Sequence, residues 1–369
     1  MKVLYFTRDY TPHDFRFLNA ICENGDDVYY LRLEKRNFYE SRPLPDSVHV
    51  ADWKFGKGPF DLAADEADAV LELQKIYQEI EPDVIHTGPL TDCSWLAALA
   101  GLHPHVAMSW GFDLGREIDT IPGAKDRAAF ALSRADWFLG DCYVELDKAA
   151  ELGYDRERAT IFPWGIDTVR FSPQKSDELR RQILNSGNYL ILSLRTMEPN
   201  YDVETVVRAF LKAVKTEPEI RLILLGDGSQ MPLLKQLAAE DQSDGWKISF
   251  LGRQPNEKLV DYYRSCDLYV SASIVDGSSV SLLEAMGCGI PVLMSAIPGN
   301  LEWVRNEVNG LTFETKNVGE LAEKMIRCCR SRKELASYSS EARKLIEEKA
   351  DWNKNKVEIH TAYRKACGL

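Results

Sequence analysis

Residues 267–290 read DLYVSASIVDGSSVSLLEAMGCGI, and their reading decides the fold. The first seven residues form a short β-rich apolar run, and Asp276-Gly277 then suits a turn. VSLLEAMGC, from Val280 onward, reads as the start of a helix. A strand passing through a tight turn into a helix is one half of a parallel βα unit. Two carboxylates, Asp276 and Glu284, stand eight residues apart around that turn. The N–H groups and positive dipole end of the helix start suit an anion such as a diphosphate. Helical side chains lean back toward the N-terminus, so Glu284, one turn in, can reach a ligand lying over that end. The same letters also admit a plainer reading. Ser281-Leu282-Leu283-Glu284 spells a capping box that would tie the helix start together, and Asp276-Gly277 is an ordinary turn pair.

Working outward, the alternation continues in both directions. Upstream, YLILSLR, IRLILLGDG and KISFLG read as strands, with helices near 203–215, 230–239 and 257–265. Earlier still, KVLYFT, DVYYLRL, DVIHTG, HVAMSWG and ADWFLGD read as strands. PHDFRFLNAICEN, DLAADEADAVLELQKIYQEI and segments near 92–101, 122–134 and 142–152 supply helices between them. A Pro-containing connection, IFPWGIDTVRFSPQKS, interrupts the rhythm near 161–176. The pattern predicts an α/β protein of two doubly wound, Rossmann-like units, residues 1–170 and 171–350, followed by a helical segment 351–369. Ligands of such sheets bind beyond the carboxyl ends of the strands, and two units facing each other would enclose a cleft.

Composition narrows the chemistry. The 369 residues carry a net charge of -12, and residues 1–150 hold 15 basic against 26 acidic residues, leaving -1 for the rest. Such acidity disfavours nucleic acid and anionic lipid surfaces as partners. The apolar run at the N-terminus breaks at Thr7-Arg8, too short for a signal peptide or a membrane span, so a soluble, cytoplasmic protein is expected. The eight cysteines are scattered without a Cys-x-x-Cys pair and read as reduced, packed thiols. Nicotinamide chemistry is disfavoured, because the loop after the first strand has no glycine and Gly226-Asp227-Gly228 is followed by Met231 where the fingerprint needs a third glycine. No P-loop occurs, and no Asp-x-Asp offers a seat for a metal-bound nucleotide, so no metal is expected.

LILSLRTMEPNYDVETVVRAF, LILLGDGSQMPLLKQLA and the run from ISFLGRQ to NGLTF together resemble the retaining GT-B glycosyltransferases with an E-x7-E motif, the group 1 or family 4 type. FPWGIDTVRFSP resembles their interdomain linker, and SWGFD resembles a loop of their first domain. The resemblance implies transfer of a sugar from a UDP- or GDP-linked donor to a hydroxyl acceptor on a carbohydrate, lipid-linked compound or small molecule. It implies retention of anomeric configuration and no cofactor beyond the donor. Glu284 would bind the ribose hydroxyls, Asp276 the donor sugar, and Gly277, Ser278, Ser279 and Val280 would offer backbone amides. Arg195 would face the diphosphate. Relatives usually carry Lys where Asn200 stands, and Arg253 is expected to share the cation role with Arg195 near the nucleotide, with Gly226 lining the same side. In the first, acceptor-side domain, Asp113 is the expected catalytic residue; Arg8, His13, Asp14, Arg16 and Trp110 are expected to line the acceptor side or serve as capping and core residues. The last helix is expected to return to the first domain. A sugar-nucleotide-binding protein with little turnover, motivated by Asp276 and Asn200, and a GT-B epimerase are the competing readings.

Overall fold

The computed structural model describes residues 1–35, 40–174, 177–183, 189–240 and 247–369. It divides into unit 1, Met1–Pro163 with Lys354–Leu369, and unit 2, Trp164–Asn353. The division falls at 163/164, ahead of the boundary at 170/171 read from the sequence. The reason is backbone pairing: the Ile166 amide donates to the Ala350 carbonyl and the Trp352 amide to the Ile166 carbonyl, both at 2.8 Å. Ile166 and Phe171 are also buried in the core of unit 2.

Unit 1 is built on seven parallel strands, β1 (Lys2–Thr7), β2 (Asp27–Arg32), β3 (Val48–Val50), β4 (Val84–Gly88), β5 (His105–Met108), β6 (Trp137–Gly140) and β7 (Ala159–Ile161). They lie in the order β3-β2-β1-β4-β5-β6-β7, with Phe6 opposite Leu31 on one side and Thr87 on the other. β1 buries five of its six residues, as a strand covered by helices on both faces must. Helix Pro12–Glu23 starts with a capping box between Thr11 and Asp14. Helix Leu62–Ile80 is capped by Asp61 and stops at the left-handed Glu81, just before Pro82. Phe6, Leu73, Ile85 and Leu96 fill the core on one side of the sheet, and Ala107, Leu132 and Phe138 belong to a second cluster.

Unit 2 repeats the plan with β8 (Tyr189–Leu194), β9 (Ile220–Leu225), β10 (Ile248–Gly252), β11 (Leu268–Ser271), β12 (Val292–Ser295) and β13 (Leu311–Phe313). All pairings are parallel, in the order β10-β9-β8-β11-β12-β13. Helix Val203–Thr216 buries Val206, Val207 and Phe210 into one face of the sheet, and helix Val280–Gly287 buries Leu282, Leu283 and Met286 into the other. No helix among the described residues is long and apolar enough to cross a membrane.

In each sheet the strand order reverses direction at one place, between β1 and β4 and between β8 and β11. The loops leaving those neighbouring strands diverge, and the crevice they leave is where open α/β sheets take ligands.

Candidate functional site

Arg195 is the first residue beyond β8, and the loop 272–279 leaves β11 beside it. The two meet across the switch point of unit 2. The Arg195 guanidinium is ion-paired with Asp276, donates to the Ser279 hydroxyl, and donates through Nε to Ser271 Oγ at 3.1 Å. It also lies 5.0 Å from the centre of the Tyr201 ring. The Arg195 and Asp276 side chains keep 10% and 17% exposure, so the pair is sunk but reachable. Burial opposes the Arg195 charge, yet the Asp276 carboxylate together with the Tyr269 and Tyr201 hydroxyls outweighs it and raises the pKa. Burial likewise pushes the Asp276 carboxyl up, with Arg195 pulling against it. The close contact favours both groups ionised.

Helix Val280–Gly287 starts at this point. Its N-cap is Ser279, whose hydroxyl accepts from the Leu282 amide at 3.4 Å, so the capping box read at Ser281-Glu284 is not what closes the helix start. Glu284 instead lies farther into the helix, 6% exposed, and its Oε2 accepts the Tyr263 hydroxyl at 2.9 Å. The Ser278 hydroxyl accepts from Trp303 Nε1 at 3.1 Å. Gly277 is covered from above: a Cβ on Gly299, in the short helix Pro298–Leu301, would run into the Asp276 carbonyl and come within 2.6 Å of the Gly277 carbonyl. Only glycine at 299 lets that helix seat on the loop.

Gly226 acts through Arg195 rather than beside it. Its φ is +122°, and a Cβ there would collide with the Arg195 carbonyl, so glycine is required for β9 to end against the start of the arginine loop. Asn200 lies in the turn Pro199–Tyr201, where its carbonyl accepts the Ile274 amide at 2.9 Å and so ties that turn to the loop after β11. Arg253 follows β10, the edge strand, with β9 between it and β8. Two strand spacings put its backbone roughly 10 Å from that of Arg195, and its side chain is exposed. The structure thus brings Arg195, Asp276 and Ser279 into contact, carries Ser278, Val280 and Glu284 on the same loop and helix, and holds Arg253 two strands away.

Asp113 of unit 1 requires a correction. It is fully buried, with Oδ2 accepting the Leu90 amide at 2.9 Å and Oδ1 accepting Ser109 Oγ at 2.8 Å and the Trp110 amide at 3.0 Å. Burial pushes its carboxyl up to about 6. Both oxygens are spent on locking the loop after β5 to the loop after β4, which makes Asp113 a positioning residue. Asp14 is similarly interior, closing the capping box and accepting the Tyr5 hydroxyl at 3.1 Å. His13 packs edge-on to Trp110 with ring centres 5.4 Å apart, and burial lowers its pKa to about 3, so it is neutral. The buried trio Asp141, Cys142 and Glu145 has its potential ligand atoms within 4.8 Å of one another. Glu145 Oε2 accepts the Asp141 amide at 3.1 Å, and burial followed by Asp141 raises its pKa well above the usual carboxylate range, the state of a protonated helix-start carboxyl.

Sequence reasoning missed Ser271, Tyr201, Tyr263 and Gly299. Pro298-Gly299-Asn300 was the available signal for the last, a proline and glycine together at a helix start.

Two family models match the chain: glycosyl transferases group 1 over residues 175–345 and glycosyl transferase 4-like over residues 2–140. D-inositol 3-phosphate glycosyltransferase of Nocardia farcinica is 28% identical over 201 residues, 52% of this chain and 44% of the relative. N-acetyl-alpha-D-glucosaminyl L-malate synthase of Bacillus anthracis is 22% identical over 361 residues, 93% of this chain and 90% of the relative. The chain spans about half the length of the first curated relatives it matches, 44% and 53%. The crystal structure of Anabaena HepE in complex with UDP-glucose superposes with a TM-score of 0.79 at 18% identity, covering 98% of each chain. The fold is the two-domain, Rossmann-like GT-B fold. Between them these models reach every strand but β7, and the chain belongs to the group 1, family 4 type of glycosyltransferases.

Proposed function

We propose that this protein transfers a sugar from a UDP- or GDP-linked donor to a hydroxyl acceptor, with retention of configuration and without a metal, in the synthesis of a glycan, glycolipid or glycosylated metabolite. The observation that carries the reading is the Arg195–Asp276 pair, set at the switch point of unit 2 over the start of helix Val280–Gly287. A diphosphate there would meet a guanidinium and the positive end of a helix, both aimed at the charge that grows as the leaving group departs. Glu284, on the same helix, would accept the ribose hydroxyls, and Asp276 a hydroxyl of the donor sugar. The lack of any Asp-x-Asp pair supports charge neutralisation by Arg195 in place of a metal. The family likeness supports attack by the acceptor hydroxyl on the face the diphosphate leaves, its proton passing to the departing phosphate. The two relatives named above act, by their names, on an inositol phosphate and on malate, both hydroxyl compounds.

Melting curves with UDP, GDP and ADP and their sugar conjugates, with EDTA and then with magnesium, test the donor. A ligand at a hundred times its Kd stabilises the folded chain by about 2.7 kcal/mol. One nucleotide family is expected to raise the Tm in EDTA, and Glu284→Ala to remove the rise. No rise with any nucleotide, or a rise only with magnesium, would overturn the metal-independent site. Retention is read from the anomeric proton coupling of the product.

A further inference from the structure

Arg195 is held along one edge of its guanidinium. Nε donates to Ser271 Oγ at 3.1 Å, and Nη2 serves Asp276 and the Ser279 hydroxyl, while Nη1 makes no hydrogen bond among the described residues. A guanidinium is a rigid, planar fork, so fixing Nε and Nη2 also fixes where the Nη1 donors lie.

Ser271 is the last residue of β11, fully buried, with its backbone in register with Met294 of β12. Its hydroxyl accepts from Arg195 and shares a hydrogen bond of 3.0 Å with Ser273 Oγ. Beside a cation the favoured hydroxyl turns its oxygen inward and its proton away, which makes Ser271 the donor to Ser273 and strengthens its oxygen as an acceptor. Ser273 is fully buried and anchored in turn. Its carbonyl accepts Ser295 Oγ at 2.6 Å, and Asn300 Nδ2 donates to the Ser295 carbonyl at 2.9 Å and to Ser295 Oγ at 3.2 Å. A buried chain of polar groups therefore runs from Arg195 through Ser271, Ser273 and Ser295 to Asn300 in the helix Pro298–Leu301. Ser279 has a second duty, because its hydroxyl also caps helix Val280–Gly287. Ser271 has none of that kind: among the described residues its hydroxyl meets one cation and one further serine.

We propose that Ser271, backed by Ser273, is a positioning residue for the transfer, holding the Arg195 plane so that Nη1 is presented to the departing diphosphate. The proposal rests on the glycosyl-transfer reading and adds to it the residues that aim Arg195. The diphosphate is the part of the donor that meets Arg195, so aiming and plain structural support separate in the ratio of nucleoside diphosphate to nucleoside affinity. A serine with a structural duty alone, once lost, weakens both ligands alike.

Ligand-observed NMR on the full chain measures UDP against uridine and GDP against guanosine. For the pair that binds, S271A is expected to narrow the ratio about tenfold, the lower end of the scale for one charge-assisted hydrogen bond. S271T, which keeps the hydroxyl, is expected to hold the ratio within about threefold, and S273A to narrow it about threefold. The Hε–Nε signal of Arg195, identified by its loss in R195K, is a second readout that needs no nucleotide. It is expected to be protected from solvent exchange in the unaltered chain and to lose that protection in S271A. Should S271A fail to fold, S273A and the arginine signal of the unaltered chain carry the test. An unmoved ratio in folded S271A or S273A, or an unprotected Arg195 signal in the unaltered chain, would overturn the proposal. The donor reading fails at a different point, in the unaltered chain, if neither UDP nor GDP binds, and the proposal then falls with it.

Discussion

Asp276 sits where two demands on Arg195 meet: the folded chain needs a counter-charge for a buried guanidinium, and a bound diphosphate would need the same guanidinium. Asp276→Asn separates them. Losing the carboxylate leaves Arg195 with Ser271, Ser279 and the Tyr201 ring, and with part of the pair exposed the cost is about 2 kcal/mol of stability. The same change removes the anion that competes with the diphosphate, so nucleoside diphosphate affinity is expected to rise while turnover falls. Titration calorimetry beside a melting curve reads both, and unchanged or weaker affinity would show that the diphosphate does not use Arg195. The position of Arg195 was legible in the sequence because it follows a strand directly, and that of Asp276 because it sits in the turn between a strand and a helix. Their partners were not. Tyr263 lies 21 residues from Glu284, and Arg8 lies 109 from Glu117, separations across which no local rule of spacing operates. Asp113 misled for a related reason: a carboxylate in a turn after a strand looks the same in sequence whether it faces solvent or the loop's own amides.

At the level of elements, helix Leu62–Ile80 and the five- and six-residue strands were readable from periodicity, whereas helices Val318–Arg330 and Arg332–Lys349 went unassigned. β3, β7, β12 and β13 went unassigned; β3, β7 and β13 are three residues long, too short for alternation to separate a strand from a loop, and β12 has four. Packing between elements is also where glycine becomes decisive. Gly299→Ala forces a methyl against the carbonyls of the loop that carries Asp276, and overpacking of this kind costs about 1–3 kcal/mol. Nucleotide affinity is expected to fall with it, because the helix can make room only by pushing that loop. Gly58→Ala, where nothing lies within 4 Å, should stay within about 0.5 kcal/mol of the unaltered chain. Urea melts of both variants give the comparison, and equal effects would show that the Pro298–Leu301 helix does not brace the loop.

For the molecule as a whole, the feature that periodicity alone could not place is the return of residues 354–369 to unit 1. Tyr363, fully buried on helix Val357–Ala366, shares a hydrogen bond of 2.7 Å with His86 Nδ1 on β4. Asn355 Nδ2 donates to the Pro163 carbonyl at 2.8 Å, and Lys356 pairs with Glu23. Burial, then the nearby His105, lowers the His86 pKa to about 3. Between that value and about 6.5, only the unfolded chain takes up a proton at this ring, so the wild type loses stability here as pH falls. His86→Gln does not titrate. Its stability deficit is therefore expected to shrink by about 2 kcal/mol between pH 7 and pH 5, and parallel pH profiles of the two chains would refute a neutral His86. The helix that buries Tyr363 follows all of unit 2 in the sequence. A ribosome making this protein thus releases every strand of the first sheet before unit 2, yet supplies the piece that covers β4 only after it. Unit 2 can finish folding on the nascent chain, while β4 and its histidine wait uncovered, open to a chaperone, until residues 354–369 have emerged.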